Sequence, residues 1–86
     1  MRLEFNPKAF EDLQHWVQFQ PKLAKRILPM IEETLRDPSG GIGKPEPLKN
    51  DFAGCWSKRI DDEHRLVYRV ENQNLIIMQC RFHYKE

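Results

Sequence analysis

The sequence predicts an α+β protein of the order β-α-α-β-β-β, in which two helices pack on one face of a twisted, mainly antiparallel sheet. Apolar residues recur at helical spacing in the first half and alternate at strand spacing in the second. Between the halves, residues 37–43 are rich in glycine and proline. The 86 residues leave room for one domain, residues 1–86, with a single core.

Two helices are predicted after a short first strand at residues 2–5. Asn6 and Pro7 form a helix-start signal, and Pro21 starts the second helix in the same way. The first helix is expected to bury Phe10, Leu13, Trp16 and Val17. The second is expected to bury Leu23, Ile27, Met30 or Ile31, and Leu35. Pro29 falls inside this second pattern, where it removes one helical hydrogen bond and predicts a kink.

The second half reads as strands, with a lead-in at residues 44–49. Strands are predicted at residues 56–60, 65–70 and 75–84, and turns at residues 61–63 and 72–74. In the last strand the even-numbered set is taken as the apolar face, which places Cys80 in the core and makes Phe82 a core residue.

This alternation also predicts the register of the last hairpin. A three-residue turn sets Arg65 opposite Arg81, and His83 then lies diagonally from Arg65. The same parity argument places Arg59 near Arg65. We therefore expect several basic side chains to gather on one open face, and Glu46 to reach the same rim.

Such a cluster has two interpretations. Close arginines form a fork that suits phosphate, which indicates an anion site. Alternatively, the face is solvated and its charges pair with Asp61, Asp62 or Glu63. Glu46 lies between two prolines that hold its backbone extended, so it can serve as a general base or orient one; the alternative is an exposed linker glutamate.

Composition narrows the class of protein. A net charge of +1 argues against a basic shell that wraps nucleic acid, so any RNA contact would depend on a local cluster. The chain shows no apolar segment of bilayer length and no secretory signal, so we expect a cytoplasmic protein without membrane contact. Its two cysteines show no metal-binding spacing.

Four blocks together resemble one toxin family. They are residues 43–49, 54–60, 63–68 and 80–84, and in this order and spacing they are similar to the Txe/YoeB branch of the RelE/ParE-like toxin superfamily. The chain departs from the family pattern at Cys55, where an aromatic residue is usual, and in its two residues beyond Tyr84.

The resemblance implies a RelE-like microbial RNase fold and the toxin of a type II toxin–antitoxin system. Such a toxin is a ribosome-dependent endoribonuclease that cleaves mRNA in the A site and needs neither metal nor cofactor. The implied catalytic residues are Glu46, Arg65, His83 and Tyr84. Lys49 and Arg59 would grip the RNA backbone, and the register argument adds Arg81 to them.

Partners follow from the resemblance as well. They are a cognate YefM/Axe-like antitoxin of the Phd/YefM family, the 70S ribosome with its mRNA, a second copy of the toxin in a homodimer, and operator DNA only through the toxin–antitoxin complex. Two alternatives use the same scaffold without RNA cleavage. One is a gyrase inhibitor, and the other is a module that binds nucleic acid or a protein partner.

Overall fold

The computed structural model describes residues 1–41 and 43–82, and its elements follow the predicted order. They are β1 (Arg2–Phe5), α1 (Pro7–Phe19), α2 (Pro21–Arg36), β2 (Glu46–Pro47), a 3₁₀ turn (Asn50–Phe52), β3 (Trp56–Arg59), β4 (Arg65–Glu71) and β5 (Asn74–Gln79). The strands form one sheet in the order β1-β5-β4-β3-β2. Among the strands of residues 1–41 and 43–82, only β1 and β5 pair in parallel. The predicted α+β, mainly antiparallel class is confirmed.

Both helices begin where the sequence predicts. The Asn6 side chain accepts a hydrogen bond from the Ala9 N–H at 2.8 Å, which caps α1, and Pro21 is the first residue of α2. Pro29 does not end α2, which continues to Arg36 with the proline on its exposed side. Within the described residues, no helix has the length and apolar character needed to cross a membrane.

The main core lies between the helices and one face of the sheet. Its buried members are Ala9, Trp16, Ala24, Ile27, Met30, Ile31, Ile60, Leu66, Tyr68, Leu75, Ile77 and Cys80. The α2 stripe agrees with the prediction, but the prediction for α1 was wrong at Phe10 and Val17, which are 54% and 57% exposed. Instead α1 turns Ala9 and Asp12 inward, because the Asp12 carboxylate binds the backbone of the last segment.

The hairpin between β4 and β5 has a tighter turn than predicted. Asn72 and Gln73 both have positive φ (50° and 65°), and Glu71 pairs directly with Asn74. Two successive left-handed residues are typical of a two-residue hairpin turn. The register next to the turn therefore differs by one residue from the predicted one, and the odd-numbered Leu75 and Ile77 face the core.

An irregularity farther along the hairpin changes the register again. Tyr68 pairs with Ile77, but Val67 pairs with Gln79, so Met78 is an extra residue in β5. A bulge of this kind shifts the alternation of side chains by one position. At the Val67–Gln79 pair the register is therefore again the predicted one. Cys80 is buried in the core, as predicted.

The last strand is shorter than the predicted residues 75–84. It ends at Gln79, because side chains of α1 occupy the backbone groups of Cys80. The Cys80 N–H donates to Asp12 Oδ2 at 3.1 Å, and the Cys80 carbonyl accepts from Trp16 Nε1 at 2.8 Å. The predicted pairing of Arg65 with Arg81 is accordingly absent from the described ladder. Phe82 is 49% exposed and is not a core residue.

Candidate functional site

The sheet brings Glu46 and Arg65 together on its face away from the helices. Arg65 Nη1 lies 3.3 Å from Glu46 Oε1, although Glu46 is on β2, Arg65 begins β4, and β3 runs between them. The Arg65 side chain is 21% exposed and that of Glu46 is 53% exposed. The prediction that these two charges reach the same rim is confirmed, and both stay accessible to a ligand.

The backbone around Glu46 is fixed by its place at the sheet edge. Prolines lack an N–H for the ladder, and an edge strand tolerates them on both sides of Glu46. Glu46 pairs with Ser57 and Pro47 with Trp56, and the Leu48 N–H then donates to the Cys55 carbonyl at 2.9 Å. The carboxylate is thus carried by a stiff segment and not by a loose linker.

A small apolar cluster lies next to Glu46 and Arg65. Its buried members are Leu48, Cys55 and Val67, with Phe52 and Met78 packed against them. Burial raises the pKa of the Cys55 thiol, so Cys55 acts as a small core residue.

Ser57 occupies the row between Glu46 and Val67. It is fully buried, and its hydroxyl finds no hydrogen-bond partner within residues 1–41 and 43–82.

Arg59 has the predicted register but a different set of contacts. It pairs with Arg65 across the β3–β4 ladder. Its guanidinium, however, forms an ion pair with Asp62 and donates from Nε to the Asp61 carbonyl at 3.4 Å. The interpretation in which basic groups pair with the acidic turn therefore describes Arg59. The residue lines an open cleft of about 440 Å³ together with Arg26, Gly43, Lys44, Asp61 and Asp62.

The acidic turn itself is held by Asp61. Its Oδ1 accepts the N–H groups of Glu63 at 2.9 Å and of His64 at 2.7 Å. Although burial acts in the opposite direction, these hydrogen bonds lower the pKa of Asp61. Asp61 thus fixes the turn from which β4 and Arg65 start.

Arg81 lies elsewhere than predicted. Its guanidinium carbon is 5.9 Å from the ring of Trp16 and 4.5 Å from that of Phe82, and the residue lines a cleft formed by α1 side chains. The prediction that it lies opposite Arg65 was wrong, because β5 ends at Gln79. Lys49 is exposed at the start of the 3₁₀ turn, two residues after β2 ends.

His83 and Tyr84, with Lys85 and Glu86, lie outside the described residues. The last described residue, Phe82, is bound to the strand that carries Arg65. Its carbonyl accepts the Arg65 backbone N–H at 3.1 Å. The described part of the chain therefore ends at a residue that is hydrogen-bonded to the backbone of Arg65.

His64 is a buried residue of this region to which the sequence pattern gave no role. It is 8% exposed, and its Nδ1 accepts the Phe82 N–H at 2.7 Å. The sequence feature that could have indicated a role for His64 is its position between an acidic turn and Arg65. Alternation alone, however, does not distinguish a buried histidine from a solvated one.

The geometry unites a half-exposed carboxylate with a guanidinium on a rigid surface. The carboxylate can accept a proton from a hydroxyl, and the guanidinium can bind a phosphate through two parallel hydrogen bonds. Among the described residues, no three His, Cys, Asp or Glu side chains are grouped as metal ligands would be.

Solved structures first define the class of protein. Two helices on one face of a five-stranded mixed sheet form the RelE-like α+β fold that solved bacterial toxins share. A YoeB/ParE toxin from Agrobacterium tumefaciens superposes with a TM-score of 0.95 at 44% identity, covering 98% of this chain and 100% of that one.

The family follows from sequence. Residues 5–84 match the model of the YoeB-like toxin of bacterial type II toxin–antitoxin systems. The toxin YoeB of Streptomyces coelicolor is 50% identical over 84 residues, which span 98% of this chain and all of that protein. The chain therefore belongs to the YoeB-like toxin family.

Some related structures include a partner. A YoeB–YefM complex from Staphylococcus aureus matches with a TM-score of 0.88 at 40% identity, covering 98% of each chain, and a YoeB dimer from the same organism is also solved. In these relatives the toxin is seen both with YefM and with a second copy of itself.

Proposed function

We propose that this toxin is a ribosome-dependent endoribonuclease that cleaves mRNA in the A site and thereby inhibits translation. The observation that carries the proposal is the contact between Glu46 and Arg65 on an exposed, rigid face. Membership of the YoeB-like family supports nuclease activity in general. The modest net charge of +1 agrees with a mechanism in which the ribosome presents the message.

In the proposed reaction Glu46 takes the proton from a 2′-hydroxyl. The 2′-oxygen attacks the adjacent phosphorus, a new P–O2′ bond forms, and the bond to the 5′-oxygen breaks. Arg65, aided by Lys49, stabilises the negative charge on the non-bridging oxygens. His83 gives a proton to the leaving 5′-oxygen, and Tyr84 orients the RNA or His83. The products are a 2′,3′-cyclic phosphate and a 5′-hydroxyl.

The contact between Glu46 and Arg65 suits the state before substrate binds. An arriving phosphate is a competing anion for the guanidinium of Arg65, and its capture releases the carboxylate to act as a base. Arg59 stands one strand away, but it is already paired with Asp62. We therefore assign Arg59 a secondary contact with the RNA backbone. Arg81 would contact RNA from its position beside Trp16 and Phe82 and not from beside Arg65.

The expected partner is a small YefM-like antitoxin of the Phd/YefM family. The Staphylococcus aureus complex supports this partner, and its dimer supports a homodimeric free toxin. We propose that the C-terminal segment of the antitoxin covers the face that carries Glu46 and Arg65, and that operator DNA is bound only by the complex. Addition of a synthetic antitoxin C-terminal peptide should then inhibit cleavage, whereas a scrambled peptide should not.

Primer extension on a defined mRNA tests the activity directly. Wild-type toxin with purified 70S ribosomes should give a stop inside the A-site codon. The stop should be absent without ribosomes and lost in His83→Gln. A folded wild-type protein that produces no cut would refute the nuclease and lead to gyrase and partner-binding assays.

A further inference from the structure

The backbone at Phe82 is held in an unfavourable conformation by two neighbouring residues. Its φ is +65°, a left-handed value that side chains larger than glycine seldom adopt. Its N–H donates to His64 Nδ1 at 2.7 Å, and its carbonyl accepts the Arg65 N–H at 3.1 Å. The backbone N–H and carbonyl of Phe82 are thus both hydrogen-bonded, to the His64 side chain and to the Arg65 backbone.

His64 is itself rigidly placed. Its N–H donates to Asp61 Oδ1 at 2.7 Å, and its ring packs edge-on against Trp16 with centroids 4.6 Å apart. Trp16 in turn binds the Cys80 carbonyl, two residues before Phe82. The last described segment is therefore anchored by α1 at Cys80 and by the β3–β4 turn at Phe82.

The hydrogen bond fixes the tautomer of His64. Because Nδ1 accepts from the Phe82 N–H, this nitrogen carries no proton, and the neutral ring carries its proton on Nε2. Nε2 lies 3.9 Å from Glu63 Oε2. Nδ1 of His64 is thus occupied by its hydrogen bond with the Phe82 backbone.

We propose that His64 is a positioning residue for RNA cleavage, which holds the backbone of Phe82, the residue that precedes the proposed proton donor His83 in the sequence. The proposal rests on the proposed function, in which His83 is the proton donor. The geometry connects both parts of the reaction. Arg65 contacts the proposed base Glu46 through its side chain and the Phe82 carbonyl through its backbone, and His64 completes the hold on Phe82.

If the role of His64 were purely structural, it would depend on the packing of its ring against Trp16. His15 provides the matched control, because its ring also lies edge-on against Trp16, with centroids 5.0 Å apart. The contacts described for His15 are ring contacts with Trp16 and Phe19. Replacing His15 therefore removes a histidine that packs against Trp16 and leaves the Phe82 hydrogen bond in place.

Two substitutions at His64 separate the hydrogen bond from the packing. His64→Leu fills a similar volume without an acceptor, and the side-chain oxygen of His64→Asn stands close to the position of Nδ1. Displacing a reacting group by about 1 Å costs on the order of 100-fold in rate. We expect His64→Leu to lower the single-turnover cleavage rate on saturating ribosomes by about 100-fold, with the half-saturating ribosome concentration changed less than about threefold.

In the same assay His64→Asn should recover the rate to within about tenfold of wild type, and His15→Leu should cleave like wild type. The folded fraction of each variant is measured by circular dichroism, and rates are compared per folded molecule. A wild-type rate in His64→Leu, or the same loss in His15→Leu, would overturn the proposal. If His64→Leu does not fold, the comparison of His64→Asn with wild type and the NMR measurement below decide the question.

NMR of ¹⁵N-labelled wild-type toxin tests the contact without any variant. His64 Nδ1 should show the shift of an unprotonated nitrogen and a scalar coupling to the Phe82 amide nitrogen across the hydrogen bond. The Phe82 amide should exchange slowly with solvent. An unprotected Phe82 amide would overturn the positioning role even if cleavage is observed. A protected amide in a toxin that does not cleave would instead refute the proposed function and the reaction that His64 serves.

Discussion

At the scale of single residues, the account depends on one carboxylate and one guanidinium in contact at 3.3 Å. Neither group is needed for the core, since Glu46 is half exposed and Arg65 lies at the rim. Loss of either should therefore affect chemistry far more than folding. The chain also contains a second pair of similar geometry on β4, Arg69 with Glu71 at 3.4 Å, which provides matched controls.

Glu46→Gln removes the proposed base and keeps the side-chain shape. We expect cleavage to slow by about 10²–10⁴-fold, as for loss of a general base, while the melting temperature changes little. Glu71→Gln alters an equally exposed, ion-paired carboxylate and should cleave like wild type. Primer extension and thermal melting of the two variants check this, and equal rates for both would remove Glu46 from the mechanism.

Arg65→Lys keeps the positive charge but loses the planar fork that binds phosphate through two hydrogen bonds. We expect a loss of about 100-fold in the cleavage rate, comparable to removal of one transition-state donor. The control is Arg69→Lys on the same strand, which should retain activity. If Arg65→Lys cleaves normally, a point charge is sufficient and the fork is unnecessary.

At the scale of elements, the sequence predicted those units whose pattern is local. The α2 stripe, the Asn6 cap of α1 and the start of α2 at Pro21 follow from spacing and side-chain type. The β5 register and the place of Arg81 do not, because alternation does not reveal the bulge at Met78 and because Asp12 and Trp16 of α1 bind the Cys80 backbone. Alternation along one strand contains no information about a helix that competes for its hydrogen bonds.

Pro29 gives a stability prediction for α2. A proline in a helix interior removes a backbone hydrogen bond and costs up to about 3 kcal/mol relative to alanine, whereas one at the first position does not. Because Pro29 is exposed and remote from Glu46, Pro29→Ala should raise the urea midpoint and leave cleavage unchanged. Pro21→Ala, at the first position of the same helix, is the control and should change the midpoint little.

The turn before β4 gives a pH prediction. The pKa of Asp61 is lower in the folded state than in the unfolded chain, so its contribution to stability is present above the unfolded value of about 4 and is lost as the pH falls through the folded value. Wild type should therefore exceed Asp61→Asn in urea midpoint at pH 7, and the gap should close at acidic pH.

Asp62→Asn is the control for this turn, because its side chain is 93% exposed and its ion pair with Arg59 is screened by solvent. It should change the midpoint little at either pH. A gap between wild type and Asp61→Asn that is equal at both pH values would show that the ionised carboxylate does not stabilise the turn.

At the scale of the whole molecule, a nearly neutral chain carries one small charged face supported by its own apolar cluster. The sequence predicted that Glu46 and Arg65 would reach the same rim, and the structure brings them into contact through the β2–β3–β4 register. It left open whether the basic groups would bind an anion or pair with Asp61, Asp62 or Glu63, since sequence cannot determine which of two nearby partners an exposed guanidinium selects, and the structure pairs Arg59 with Asp62. The proposed division of labour follows: the ribosome binds and presents RNA, and the toxin supplies the reacting groups.

The most direct test of the central claim uses an mRNA with a single 2′-deoxyribose immediately 5′ to the cleaved phosphate, programmed in the A site of 70S ribosomes. Without the 2′-hydroxyl that Glu46 is proposed to deprotonate, cleavage at that phosphate should be abolished, while the unmodified message should yield a 2′,3′-cyclic phosphate and a 5′-hydroxyl. Cleavage of the deoxy-substituted message at the normal rate would contradict 2′-hydroxyl attack and the role of Glu46 with it.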